Sequence, residues 1–215
     1  MDWTKTAGVL VGLLFSLAAH ESAHAWVAEK LGDPTGRLLG RITLNPVPHI
    51  DLFGTIVMPL LLLYMTNGRW TFMYAKPVPY NPLHLKNPGT GSALIAGAGP
   101  LTNLLIAFGL AFAVVLVGKN PALSRTLGFD VLLAVFAMNV GLAVFNLLPL
   151  PPLDGSKVFA AVLPSGAQAA FLSLDRFGFL VLILLSYLGV IGRVILPAID
   201  AIAEAFLRAA GANLG

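Results

Sequence analysis

The chain has 215 residues, 57% of them hydrophobic and only 11% charged, with a formal net charge of +3. An ordinary soluble domain carries about 25% charged residues, so this composition argues against a soluble enzyme and for a polytopic membrane protein. Basic residues are scattered in ones and twos, which leaves no nucleic-acid footprint. The absence of cysteine removes disulfides and thiolate ligands, so any metal must be held by nitrogen and oxygen.

The first apolar stretch, residues 6–28, has no charged or imidazole side chain outside the run His20-Glu21-Ser22-Ala23-His24. It is long enough to cross about 30 Å of hydrocarbon. Ionisable groups kept in such surroundings mark a functional site. On a helix, His20 and His24 are four residues apart and share a face, so both reach one Zn²⁺, while Glu21 stands beside the metal as a general base. Lys5 and the apolar run after it also resemble a signal peptide, with Ala23-His24-Ala25 as a small-x-small cleavage site. Cleavage there would destroy the motif, and the apolar run continues to Ala28, so the segment is read as a retained spanning helix.

Leu31-Gly32-Asp33-Pro34 ends that helix. The alternation in residues 39–44 reads as a short strand closed by Asn45-Pro46. Residues 52–65 are apolar but short for a span and contain Pro59, which suits a re-entrant or interfacial element. Residues 67–91 hold a strand-like run at 70–74 and then Lys76-Pro77-Val78-Pro79-Tyr80-Asn81-Pro82. There the prolines forbid helix and force an extended loop. Uncharged spans follow at 92–117 and 131–150, the latter running into Pro149-Leu150-Pro151-Pro152-Leu153-Asp154-Gly155. Residues 177–192 are flanked by Arg176 and Arg193, which can snorkel to the interfaces. Beyond Pro197, Asp200, Glu204 and Arg208 repeat every four residues, as on an amphipathic interfacial helix or a short final span. The expected fold is an all-α polytopic membrane protein with four to six membrane helices and short β-strand or re-entrant loop elements. It forms a single domain over residues 1–215.

A catalytic zinc takes three protein ligands and keeps one position open. His49 and His84 lie in proline-rich loops. Asp51, Asp130, Asp175, Asp200 and Glu204 sit at segment edges or on the terminal face. Asp154 follows a span with no intervening charge, just past prolines that break the helix. Unwound backbone at membrane depth is tolerated only where protein or a wet cavity lines it. The residues therefore favour Asp154 over its rivals as the third ligand.

Three motifs in order now carry a likeness: His20-Glu21-Ser22-Ala23-His24, Gly99-Pro100-Leu101-Thr102-Asn103, and Asn146-Leu147-Leu148-Pro149 through Leu153-Asp154-Gly155. Together they resemble the site-2 proteases, intramembrane zinc metalloproteases that cut transmembrane segments of other proteins. The loops 40–46 and 75–82 look like the short bacterial branch without PDZ-like or nucleotide-binding modules, and the likeness covers roughly residues 7–160. Leu52 departs from it, standing where a proline is expected after His49-Ile50-Asp51. The resemblance implies one zinc per chain on His20, His24 and Asp154, with Glu21 as catalytic base. It implies that Asn146 helps hold the substrate backbone or the oxyanion. It gives Asn103 either a share in that task or a place in the polar lining of the site. It further implies a transmembrane protein substrate and a multi-pass place in a prokaryotic plasma membrane, with homo-oligomerisation left open. A multi-pass metal transporter and a catalytically silent membrane scaffold are the alternatives. The first has no need of Glu21 and normally shows inverted repeats; the second has no need of an intact Glu beside three ligands.

Overall fold

The structure is a computed structural model that describes residues 3–65 and 74–213. Those residues are helices and loops with no strand among them. In chain order the α-helices are α1 (Trp3–Lys30), α2 (Thr35–Leu38), α3 (Met58–Met65), α4 (Pro88–Gly118), α5 (Leu127–Asn146), α6 (Asp154–Ala160), α7 (Ser165–Leu172), α8 (Asp175–Tyr187) and α9 (Val190–Ala209). A π-helical turn, Leu52–Val57, precedes α3. Among the described residues three helices, α1, α4 and α5, are long and apolar enough to cross a membrane.

These three make one bundle, and the sequence explains how closely they pack. A Cβ on Gly8 would stand 3.0 Å from a Val131 methyl, and one on Gly12 would overlap Val135. One turn further, Ser16 Oγ accepts a 2.9 Å hydrogen bond from Asn139 Nδ2. The partners climb in steps of four on both helices, so α1 and α5 run parallel with backbones drawn close through small residues. Helix α4 lies against both in the opposite sense, for it meets His24 at Ile95 and His20 at Asn103. Its start is fixed by Asn87, whose side chain accepts from Thr90 N, and by Pro88 in the first turn. Beyond Asn103, Ala107, Ala111 and Val114 pack on Phe136, Val140 and Val144 of α5, and α9 adds Ile195 to the same core.

The connection from α1 to α4 leaves and returns at one end of the bundle. Gly32 turns the chain with φ +110°, and the fully buried Asp33 then gathers it. Its carboxylate accepts from Thr35 Oγ1 at 2.6 Å, Asn81 N at 2.8 Å and His84 Nδ1 at 2.8 Å. Arg41, 5% exposed, holds the rest by donating to the carbonyls of Pro48, Lys76 and Pro77.

Several expectations change here. Residues 39–44 are not a strand: α2 precedes them and turns and bends replace extended chain, because Gly40 at φ +67° breaks the alternation and Arg41 turns inward. The run at 70–74 lies, apart from Tyr74, outside the described residues. The apolar stretch at 177–192 is not one helix, since α8 ends at Tyr187 and Gly189 adopts φ +68° before α9 begins. Helix α9 packs Ile199, Ile202 and Phe206 on the core of α4 and α5 and leaves Asp200, Glu204 and Arg208 exposed on its other side.

Candidate metal centre

His20 and His24 project from the second half of α1 and are 5% and 8% exposed. Helix α1 carries them to the side of α4 that has Gly99, and the glycine is required. A Cβ at that position would stand 2.5 Å from both Nε2 atoms. Asp154 opens α6 after residues 147–153 double back from α5. Gly155 lets the return pass, since a Cβ there would overlap the carbonyls of Leu147 and Leu148. The Asp154 Oδ2 atom then lies 3.2 Å from His20 Nε2 and 3.3 Å from His24 Nε2.

The hydrogen-bond network fixes the protons. His24 Nδ1 lies 2.6 Å from the carbonyl of Ile95, which can only accept, so Nδ1 carries the hydrogen. For His20 the logic runs through three side chains. Asn139 Nδ2 donates to Val135 O at 2.8 Å and to Ser16 Oγ, which turns its Oδ1 toward Asn103. Asn103 Nδ2 donates to that oxygen at 3.0 Å and presents its own Oδ1 to His20 Nδ1 at 2.6 Å. Both asparagines are fully buried. In the neutral imidazoles both Nε2 atoms are therefore lone pairs, and they converge with a carboxylate oxygen. Three acceptors at this spacing repel one another unless a cation lies between them. Two donors on a tetrahedral zinc at about 2.0–2.1 Å would be about 3.3 Å apart, which matches the separations seen. The donor set, two nitrogens and one oxygen, suits zinc, and the hydrogen-bonded Nδ1 atoms are the usual outer support of such a site.

Glu21 shares the region: ligand-type atoms of His20, Glu21 and His24 all lie within 4.8 Å of one another. Its Oε2 is held by Val78 N–H at 3.1 Å. The extended segment that supplies this donor is itself anchored, by Lys76 N–H on the His49 carbonyl at 2.8 Å and by Arg41 on two carbonyls. With Pro77 and Pro79 lacking donors, the segment buttresses Glu21 and is no free edge.

Of the residues singled out in the sequence, His20, Glu21, His24, Asp154 and Asn103 come together. The Asn146 amide donates to Leu142 O of its own helix at 2.9 Å. His84 ties loops together through Asp33. His49 is buried with Nε2 3.1 Å from Thr43 O, and burial holds its pKa below the ordinary value. Sequence reasoning missed Gly99 as the wall of the site, Asn139 and Ser16 behind it, and the Val78 amide. Asn139 carried a usable signal, as a carboxamide inside an otherwise apolar span, and so did the Gly8-x-x-x-Gly12 pair.

A helical bundle with three apolar crossing-length helices and an internal two-histidine, one-carboxylate cluster defines a membrane protein of the metalloenzyme kind. Comparison with known proteins narrows the class. The chain is 35% identical over 204 residues to a Bacillus subtilis protein named "Putative zinc metalloprotease YwhC", covering 93% of this chain and 89% of that one. It is 29% identical over 188 residues to the Rip2 protein of Mycolicibacterium smegmatis, named in the same terms, covering 82% of this chain and 65% of the other. A third relative, MJ0611 of Methanocaldococcus jannaschii, matches over 64 residues at 45% identity, or 30% of this chain and 31% of its own length. The chain belongs to the site-2 protease family of zinc metalloproteases. No family model and no solved structure matches it.

Proposed function

We propose that the protein is an intramembrane zinc metalloprotease of the cell membrane that hydrolyses peptide bonds in or near transmembrane segments of other membrane proteins. The observation that carries the reading is the convergence of His20 Nε2, His24 Nε2 and Asp154 Oδ2, with Glu21 alongside. In this reading His20, His24 and Asp154 hold one zinc per chain. The bound ion would supply Lewis acidity, polarising the scissile carbonyl and acidifying a water. Glu21 is the base: with Oε2 on the Val78 amide, Oε1 takes a proton from the attacking water and returns it to the leaving amine. Asn103 orients His20 through Nδ1 and does not face substrate, which replaces the role of backbone or oxyanion ligand considered for it. Asn146 keeps that role, since one amide hydrogen on Leu142 O leaves its second N–H and its Oδ1 for substrate.

The segment between α1 and α4 fits a re-entrant element, since the π-helical turn Leu52–Val57 and α3 run on as one short helical stretch ending at Met65, about 20 Å against the roughly 30 Å of hydrocarbon, and the connection begins and ends on one side. A substrate helix must unwind before its carbonyls can be attacked, because they are tied in internal hydrogen bonds. The test is cleavage of reconstituted single-pass substrates by wild type and Glu21→Gln, with metal analysis of both. Glu21→Gln is expected to keep its zinc and lose cleavage. An undiminished rate would remove the base assignment, and a metal-free wild type that still cleaves would remove the metalloprotease reading.

A further inference from the structure

Helix α9 carries a charged face and packs along α4 and α5, two helices long and apolar enough to cross a membrane. Ile199 reaches within 3.6 Å of the Cβ position of Gly141 on α5. The Phe206 ring meets Phe108 of α4 with centroids 5.3 Å apart. Leu207 shares a cleft with Val114, Gly118 and Phe129. Gly141 and Phe129 are twelve residues apart on α5, about 18 Å of helix. Residues 199–207 of α9 thus follow the interior of that span, and Asp130, paired with Lys5 at 3.2 Å, marks its end. The apolar side of α9 is spent on α4 and α5. The opposite side presents Asp200, Glu204 and Arg208, all exposed. Glu204 and Arg208 pair along the helix, and Asp200 has no ion-pair partner among the described residues. Arg208 lies near the span's end and can snorkel. Asp200 and Glu204 are deeper, and acids facing hydrocarbon are expensive and rare.

We infer that this face of α9 is the interface between two copies of the chain. The charges argue for a copy over other occupants. The face carries both signs side by side, so an identical face can set Arg208 of each copy against Glu204 of the other in a closed ring of four alternating charges. Ala201, Ala205 and Ala209 interleave with the charges and are also exposed, so two such backbones can approach closely. An apolar transmembrane substrate would offer Glu204 and Arg208 no partner across the interface. The inference rests on the membrane placement of α4 and α5 and not on the hydrolytic chemistry.

The chain's lack of cysteine makes the test direct. Ala201→Cys and Ala205→Cys, each in full-length protein in liposomes at high lipid-to-protein ratio, are oxidised and compared with Val11→Cys on the exposed face of α1. Disulfide-linked dimer is expected from the α9 positions and not from the control. Added to Ala205→Cys, Glu204→Arg should lower the dimer yield about tenfold, and the exchange Glu204→Arg with Arg208→Glu should restore it. Equal linking at Val11 and Ala201, a yield indifferent to Glu204→Arg, or linking only to an added transmembrane substrate would each overturn the interface. Cleavage by Glu21 is measured in parallel, so failure here leaves the hydrolase reading standing, and the reverse.

Discussion

Asn139 is fully buried and three groups away from the metal position, yet it determines which nitrogen of His20 holds a proton. Its amide is committed to Val135 O and Ser16 Oγ, so Asn103 has a single orientation and His20 Nε2 is left as a lone pair. Outer-shell partners of this kind typically affect metal affinity by about 10–100-fold. Asn103→Ala should therefore weaken zinc binding by that order while leaving helix content unchanged. Competition with a chelator of known affinity reads it, and an unchanged Kd would show that the relay does not orient His20. Gly99 makes a sharper prediction. Alanine is the better helix former, so Gly99→Ala should keep or raise helicity, but its methyl would stand 2.5 Å from both Nε2 atoms. Zinc content and cleavage should both collapse while circular dichroism stays the same. Normal zinc in that variant would mean that α4 can shift away from α1.

At the scale of elements, the loops around the site are held by charged groups with backbone partners. Burial alone would raise the pKa of Asp33, but hydrogen bonds from Thr35, His84 and the Asn81 amide outweigh it and hold the carboxyl below its ordinary value. A depressed folded pKa means that Asp33 adds stability above the unfolded value, about 3.9. That stability is lost as pH falls through the folded value. Acid should therefore release the loop at 81–84 from the end of α1. Asp33→Asn puts an NH₂ opposite donors it cannot accept from, at a cost of about 1–3 kcal/mol. Limited proteolysis between residues 74 and 87 from pH 7 downward measures both: wild type should become susceptible only in acid, and the variant at every pH. Equal resistance in the two would remove Asp33 from this role.

These elements also show what the sequence could disclose. The spans at 6–28, 92–117 and 131–150 were legible because α1, α4 and α5 each carry an apolar run of crossing length, and the His20 to His24 spacing because it follows helical geometry. The strand read at 39–44 failed because an alternating pattern cannot reveal that Gly40 turns at φ +67° and that Arg41 is buried among carbonyls. Gly99 was visible only as half of a Gly-Pro motif. That its missing side chain makes room for a metal depends on where α1 crosses α4, and a single strand of sequence does not state that. The repeat of Asp200, Glu204 and Arg208 was read correctly as one face of a helix. Its partners on α4 and α5 were not foreseeable, because the apolar face of an interfacial helix has the same pattern as one packed on a bundle.

For the molecule as a whole, the centre is where α1, α4 and the turn into α6 meet through polar groups. Histidines come from α1, the carboxylate from α6, and the supports of both Nδ1 atoms from α4. An ion bound there joins segments more than a hundred residues apart. It therefore stabilises the fold by mass action, about 2.7 kcal/mol when free metal is a hundredfold above Kd. Removing it should do more than stop cleavage. It leaves three acceptors facing one another, so chelation should lower the unfolding temperature of the wild type in detergent and zinc should restore it. Glu21→Gln keeps the ligands and should show the same shift. Asp154→Asn should unfold at one temperature with or without chelator, because the set of three is broken. A full chelator-dependent shift in Asp154→Asn would place the stabilising ion elsewhere and detach the carboxylate from the metal.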